Sequence, residues 1–304
     1  SAMIGDLANS AQRPHAFGLM YVAFNLGFSV AAPLGGFLSQ YSFQWLFWGD
    51  AATTALYGLM ILMLISETLP AAVNSPAPDP HHDDAAPRER SGISATATSS
   101  GNGFVPWRTA LQHMIRDRIF VMFCMATVLT VGVFMQAFST LPLHMAQLGY
   151  SENNIGWLMS TNGILIVLCQ VPVTHLLSRF ERLSIIIVGE LLIAFGFGLT
   201  ALASTTLFLF FTIVLWTLGE VVQAAFKQSM VADLAPPTLR GRYMGVFGLC
   251  HAVGITIGAP VGGYVLDRWT SQVLWPACCL VVLAATMVYV VTYFDLRKRN
   301  EIRR

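Results

Sequence analysis

Apolar positions in this chain follow neither the alternation of a strand nor the one-sided stripe of a soluble helix. Eight stretches are apolar for about 20 residues or slightly more, the length that crosses a bilayer core as a helix. They occupy approximately 16–40, 44–66, 119–141, 154–177, 183–203, 206–232, 243–266 and 272–294. Glycine and proline fall inside several of them, which membrane helices tolerate. The segment 67–107 differs in kind: it is rich in Pro, Ala, Ser, Thr and Asp, and holds His81, His82, Asp83 and Asp84 together. That composition reads as a solvated linker, with the His/Asp cluster part of it. The pattern therefore predicts an all-α polytopic membrane protein with two helices before the linker and six after it.

The chain also repeats itself. Residues 1–36 align without gaps on residues 228–263, so that Met3 meets Met230, Asp6 meets Asp233, Arg13 meets Arg240 and Gly18 meets Gly245. Gly27 meets Gly254, and Pro33, Gly35 and Gly36 meet Pro260, Gly262 and Gly263. Internal repeats packed around a central site are a building plan of transporters. Small residues let helix backbones approach closely in lipid, and proline removes one helix hydrogen bond and permits a bend. These eight residues are candidates for helix packing or gating; the plain alternative is a packing seam with no gating role.

Composition narrows the class. With 55% hydrophobic and 11% charged residues, the chain falls far below the roughly 25% charged share of a soluble domain. A net charge of +1 offers no basic face to nucleic acid. The five cysteines lie in apolar segments, without the spacing of a metal site or a disulfide framework. Of the 17 basic residues, all but Lys227 and Arg268 fall in alternate loops, in the linker or in the tail. This asymmetry places the linker and both termini in the cytoplasm of a plasma-membrane protein, a bacterial inner membrane being expected.

The stretch AAPLGG from Ala31 and the stretch GAPVGG from Gly258 resemble the glycine-proline signature on the fifth helix of the major facilitator superfamily and its counterpart on the eleventh. Ala31 and Ala32 stand where the family often has Gly-Pro. The turn Leu177-Ser178-Arg179-Phe180-Glu181-Arg182 is similar to a degenerate copy of the family's Asp-Arg-x-Gly-Arg loop, with Ser178 in place of the aspartate. The segment Arg240-Gly-Arg-Tyr-Met-Gly245, and the run from Gln136 through Leu141-Pro142-Leu143 to Asn162, look like the multidrug efflux, drug:proton antiporter branch. The resemblance implies a partial superfamily fold, about eight transmembrane helices of twelve. It assigns residues 1–66 to the last two helices of the N-terminal half, 67–107 to the cytoplasmic linker and 108–304 to the C-terminal six-helix half. Because the motif lies on the first span of one half and the fifth of the other, four helices, on the order of 110–130 residues, are expected upstream. Arg179, Arg182, Arg240 and Arg242 are then cytoplasmic-loop residues, able to meet lipid phosphates or helix C-termini.

Ionisable groups inside a bilayer are costly and mark functional sites. Asp50, Glu190, Glu220 and Lys227 qualify. Trp216, Glu220, Gln223 and Lys227 are spaced by four, three and four, which places them on one helix face. In the family's layout this is helix ten, lining the central cavity. A carboxylate beside an aromatic ring suits a lipophilic cation and can alternate between substrate and proton. The competing reading pairs Glu220 with Lys227, or lets Lys227 snorkel to the interface. Gln136 and Asn162 are candidates to hydrogen-bond substrate or, equally, to tie helices together. Asp50 lies near the outer end of its helix, and Glu190 on an outer scaffold helix. Nothing resembles a nucleophile–base pair, a metal quartet or the nucleotide loop GxxxxGK[ST], so no enzyme, cofactor or metal is expected, and ion gradients stand as the energy source. The expected partners are a small-molecule substrate, a coupling ion (the proton) and the lipid bilayer. The leading expectation is a secondary transporter, proton-coupled efflux by alternating access; the alternatives are metabolite uptake or a non-transporting receptor or scaffold.

Overall fold

The computed structural model describes residues 4, 8–39, 42–64 and 106–302, the side chains at 28–39, 43, 46, 64, 152, 153 and 299–302 excepted. Nearly all of the linker expected at 67–107, with its His/Asp cluster, lies outside the described residues. Among the described residues ten α-helices follow one another with no strand. They are α1 (Arg13–Ser39), α2 (Phe43–Leu64), α3 (Trp107–Arg116), α4 (Arg118–Phe134), α5 (Thr140–Gln147), α6 (Glu152–Leu177), α7 (Arg182–Leu199), α8 (Thr206–Leu234), α9 (Arg240–Arg268) and α10 (Ser271–Ile302). Short 3₁₀ turns extend α4 and α7 and lead into α9.

Among the described residues six segments are long and apolar enough to cross a membrane: Arg118–Gln147, Asn154–Leu177, Arg182–Leu202, Thr206–Leu234, Pro237–Arg268 and Ser271–Lys298. With α1 at 27 residues and α2 at 22, eight long helical paths stand where the apolar stretches predict them. The molecule is apolar outside: Leu168, Leu207, Leu249, Leu280 and Met287 are all exposed. Lipid accepts such a surface, whereas backbone polar groups have to be satisfied within each helix.

Two features differ from the apolar pattern. The stretch 119–141 is not one helix; α4 stops at Phe134, a 3₁₀ turn covers Met135–Ala137, and α5 begins at Thr140 with Pro142 inside it. The Gln136 side chain answers the break, its Nε2 donating to the carbonyls of Gly132 at 2.9 Å and Gly258 at 2.7 Å. A short helix, α3, also forms just after the linker, burying Ala110 and Met114. It is too short and too polar to stand out as a span.

Helix contacts follow the small residues. α8 packs along α7, where a Cβ at Gly189 would lie 2.8 Å from the Gly219 carbonyl and one at Gly219 would lie 2.5 Å from that of Gly189. α9 meets α4 at Gly258 and Gly132, where a Cβ at Gly258 would press into the Gly132 backbone. α10 lies against α4 and α7, while α1 lies against α6 and α8. Two apolar clusters fill the interior. One, around Phe120, Phe123, Tyr243, Phe247 and Tyr289, includes Phe17 of α1. The other, around Phe197, Trp216 and Trp275, stacks Phe197 on Trp216 with centroids 5.5 Å apart.

Of the repeat positions, Gly254 and Gly262 are enclosed, the first by Val131 and the second by the Gln136 amide. Gly27 and Gly263 face open space and so make no close approach among the described residues. One helical step of about 100° turns Gly263 away from the face on which Gly262 packs. Pro260 is exposed within a continuous α9. Pro33, Gly35 and Gly36 lie on α1, but their side chains are outside the described residues.

Candidate functional site

Glu220 sits in the interior of α8, 8% exposed, where α1 and α6 both reach it. Tyr21 of α1 donates its hydroxyl to Glu220 Oε1. Asn162 of α6 donates from Nδ2 to Glu220 Oε2 at 2.8 Å and to Thr217 Oγ1 at 3.2 Å. Each carboxylate oxygen therefore has a donor from a different helix. Beside it, Gln170 of α6 donates to the Val221 carbonyl at 3.0 Å and to Thr174 at 3.0 Å, and its Oε1 is buried without a partner among the described residues. Through these bonds the Glu220 carboxylate joins α1 to α6 and α8.

The structure brings together Glu220 and Asn162 of the five cavity candidates. The other three serve helix contacts. Trp216 is wholly buried against Phe134 and Phe197. The stem of Gln223 packs over Gly189 of α7, and Gln136 ties α4 to α9. The helical period explains the split. Trp216 and Gln223 lie about 40° and 60° round the helix from Glu220, on the side of α7, whereas Lys227 is about 20° away but two turns further along, where it meets Glu190. Tyr21 and Thr217 are the residues that sequence reasoning missed. Each is an ordinary member of an apolar span, and only the approach of α1 to α8 gives the phenol its role.

Lys227 pairs with Glu190 and not with Glu220. Its Nζ lies 2.5 Å from Glu190 Oε1, and Thr130 of α4 donates to Glu190 Oε2 at 2.8 Å. Lys227 also stands 5.2 Å from the Tyr289 ring centroid, and the Tyr289 hydroxyl lies 2.9 Å from Thr127 Oγ1. At 6% exposed, Lys227 does not snorkel, and Glu190 is fully buried. Asp50 is exposed on α2.

At the arginine-rich end, Asp233 near the end of α8 accepts ion pairs from Arg13 of α1 and Arg182 of α7, both partly buried. Ser10 joins them, its Oγ 3.3 Å from Asp233 Oδ1 and 3.0 Å from Arg182 Nη2. Arg13 and Asp233 come from opposite copies of the repeat, so the contact links one copy to the other. Arg240 donates from Nε to the Ala232 carbonyl at 3.2 Å, and Arg242 to that of Pro106 at 3.3 Å. Arg179 lies 5.1 Å from the centroid of the Phe180 ring. Among the described residues no group of three or more His, Cys, Asp or Glu is placed to hold a metal ion.

The sequence matches the family described as Major Facilitator Superfamily over residues 1–151 and 135–304. A "Na(+), Li(+), K(+)/H(+) antiporter" of Planococcus maritimus is 24% identical over 299 residues, covering 90% of this chain and 65% of that protein. "Multidrug resistance protein MdtH" of Escherichia coli (strain K12 / DH10B) is 23% identical, covering 89% of this chain and 60% of that protein. This chain thus spans less than two thirds of the length of either relative. In three dimensions it is similar to the human organic anion transporter MFSD10 (TETRAN), with a TM-score of 0.68 at 17% identity over 95% of this chain and 66% of the other. That likeness is one of fold. Matched by the family along its whole length, and built of long apolar helices with an internal repeat, this chain belongs to the Major Facilitator Superfamily.

Proposed function

We propose that the chain works as part of a secondary membrane transporter, not an enzyme, in which Glu220 binds substrate and coupling proton in turn. One half contributes α1 and α2 (residues 1–66) and the other contributes α3 to α10 (residues 108–304), the arginine-rich end facing the cytoplasm. The observation that carries this reading is a buried carboxylate at the junction of α1 with α6 and α8. Ionisable groups at such depth are retained for function. Its logic is differential contact. With Glu220 ionised, Tyr21 of the first half donates to it across the junction, while Asn162 orients it from within its own half. A proton or a bound cation takes over part of the carboxylate and weakens that hold, which biases rocking of the halves. The ion pairs of Asp233 with Arg13 and Arg182 would close the cytoplasmic end in the state described here. Relatives named as an antiporter and as a multidrug resistance protein support exchange of a cationic or amphipathic cargo for protons.

The experiment is proton-driven exchange in everted vesicles, with ethidium as a lipophilic cation and Na⁺ as the alkali cation. Glu220→Gln keeps volume and hydrogen bonding but removes the titratable charge. It is expected to abolish exchange of the cargo and its dependence on the pH gradient, with the protein still inserted. Tyr21→Phe is expected to leave cargo binding but to loosen coupling, so that cargo leaks down its own gradient. A folded Glu220→Gln protein with normal exchange and pH dependence would sink the proposal.

A further inference from the structure

The short helix α3 carries two faces that the transport reading does not use. Ala110 and Met114 are buried, and Met114 joins the apolar cluster that contains Phe120 and Tyr243. Adjoining that side of the helix, Trp107, Leu111 and Ile115 are exposed by 52%, 37% and 65%. Spaced by four, they form one apolar stripe. Water would leave this stripe without a partner. Yet α3 runs directly into Arg118, the first residue of a membrane span, so it lies at the level where the chain enters the hydrocarbon. A tryptophan there suits the headgroup boundary, its ring apolar and its N–H wet.

Beside the stripe a cleft of about 520 Å³ opens between α3 and the start of α4. Thr109, Gln112, His113, Arg116 and Arg118 line it together with Asp117. Two guanidinium groups, an amide and a hydroxyl are donors of the kind that hold a phosphate. Asp117 is turned to other work: its carboxylate caps α4 through the Phe120 N–H at 3.4 Å and accepts the Tyr243 hydroxyl at 3.4 Å. His113 Nδ1 lies 2.9 Å from the same hydroxyl. Arg118 meets Asp295 only loosely, at 3.7 Å with its side chain 75% exposed, and Arg116 forms no ion pair among the described residues. Arg242 adds positive charge nearby, 5.9 Å from the Trp107 ring centroid.

From this juxtaposition we infer that α3 and the start of α4 form a binding site for an anionic phospholipid. The phosphodiester sits between Arg116 and Arg118, with Thr109 and Gln112 beside it. The acyl chains lie along Trp107, Leu111 and Ile115. Charge complementarity selects the anionic headgroup, and continuity of the stripe with the span beginning at Arg118 selects a bilayer lipid over a soluble acidic protein.

The test is thermal unfolding of the detergent-solubilised protein titrated separately with phosphatidylglycerol, phosphatidylcholine, inorganic phosphate and a polyglutamate peptide. Phosphatidylglycerol is expected to raise the Tm saturably, because a ligand bound only by the folded state stabilises it. The other three are expected to leave it unchanged. The double variant Arg116→Gln/Arg118→Gln, both exposed positions, should keep the lipid-free Tm and lose the shift. Arg116→Lys/Arg118→Lys should retain most of it, and Leu111→Asn/Ile115→Asn should weaken it. An equal shift with phosphatidylcholine, with phosphate or with the peptide overturns the assignment. So does an undiminished shift in the Arg→Gln double variant. Because the readout is stability and not transport, it stands or falls separately from the role of Glu220.

Discussion

At the scale of single residues, the four intramembrane charges read from the sequence divide by what lies opposite them. Glu190 and Lys227 neutralise each other inside one bundle, with Thr130 and Tyr289 completing the shell. Removing one partner leaves a buried charge uncompensated, which costs about 3–5 kcal/mol, whereas an apolar pair of similar volume is close to neutral. Lys227→Met and Glu190→Leu are therefore each expected to depress folded yield and Tm sharply, while the double variant restores both. The check is Tm and monodispersity of the purified variants, and a double variant as poor as the worse single one would assign the residues a role beyond pairing. Among the described residues Glu220 faces no opposing cation, only neutral donors. Its presence was legible because a carboxylate inside a 29-residue apolar helix stands out. Its partners were not, since Tyr21 lies 199 residues away and nothing in an apolar run marks which tyrosine will turn inward.

At the scale of elements, helix existence followed from apolar length, and helix contacts from glycine only in part. The repeated glycines look alike in sequence, yet Gly258 lies against the Gly132 backbone while Gly263 meets open space. A methyl at 258 has only backbone to displace, so Gly258→Ala is expected to separate α4 from α9 and to cost about 1–3 kcal/mol, the usual range for overpacking. Gly263→Ala is expected to be neutral or stabilising by roughly 0.5–1 kcal/mol, from helix propensity alone. Thermal unfolding of the two variants in parallel tests the distinction; equal destabilisation would refute this helix pairing. The break between α4 and α5 was hidden for a related reason. Thirty residues of apolar character look the same whether the backbone continues as α-helix or tightens at Met135–Ala137. A single amide at Gln136, reaching the Gly258 carbonyl on another helix, makes the tight turn tolerable.

At the scale of the whole molecule, the contacts between α1 and the bundle of α6, α7 and α8 carry the functional reading. Asp233 stands between two guanidinium groups, from Arg13 and Arg182. With the carboxylate removed, the two cations face each other without compensation and favour separation of that end. Asp233→Asn is therefore expected to open the arginine-rich end. The measure is the rate at which a maleimide reaches a cysteine placed at Ser229, a fully buried residue about one turn inside Asp233, with the five native cysteines replaced. A several-fold faster reaction is expected, and an unchanged rate would show that these ion pairs do not hold the end closed.

Composition and apolar length by themselves determined that this chain is an all-helical membrane protein, and the motifs at Ala31 and Gly258 carried the resemblance to its family. Those properties are sums over many residues, and no single contact can reverse them. What only the tertiary structure decided is which polar group meets which. About 40–60° around α8 separates Glu220, which meets Tyr21 and Asn162, from Trp216 and Gln223, which pack on α7. Within a uniformly apolar helix, no periodicity in the sequence marks that angle; it is set by where neighbouring backbones approach closely, at glycines whose partners lie far along the chain.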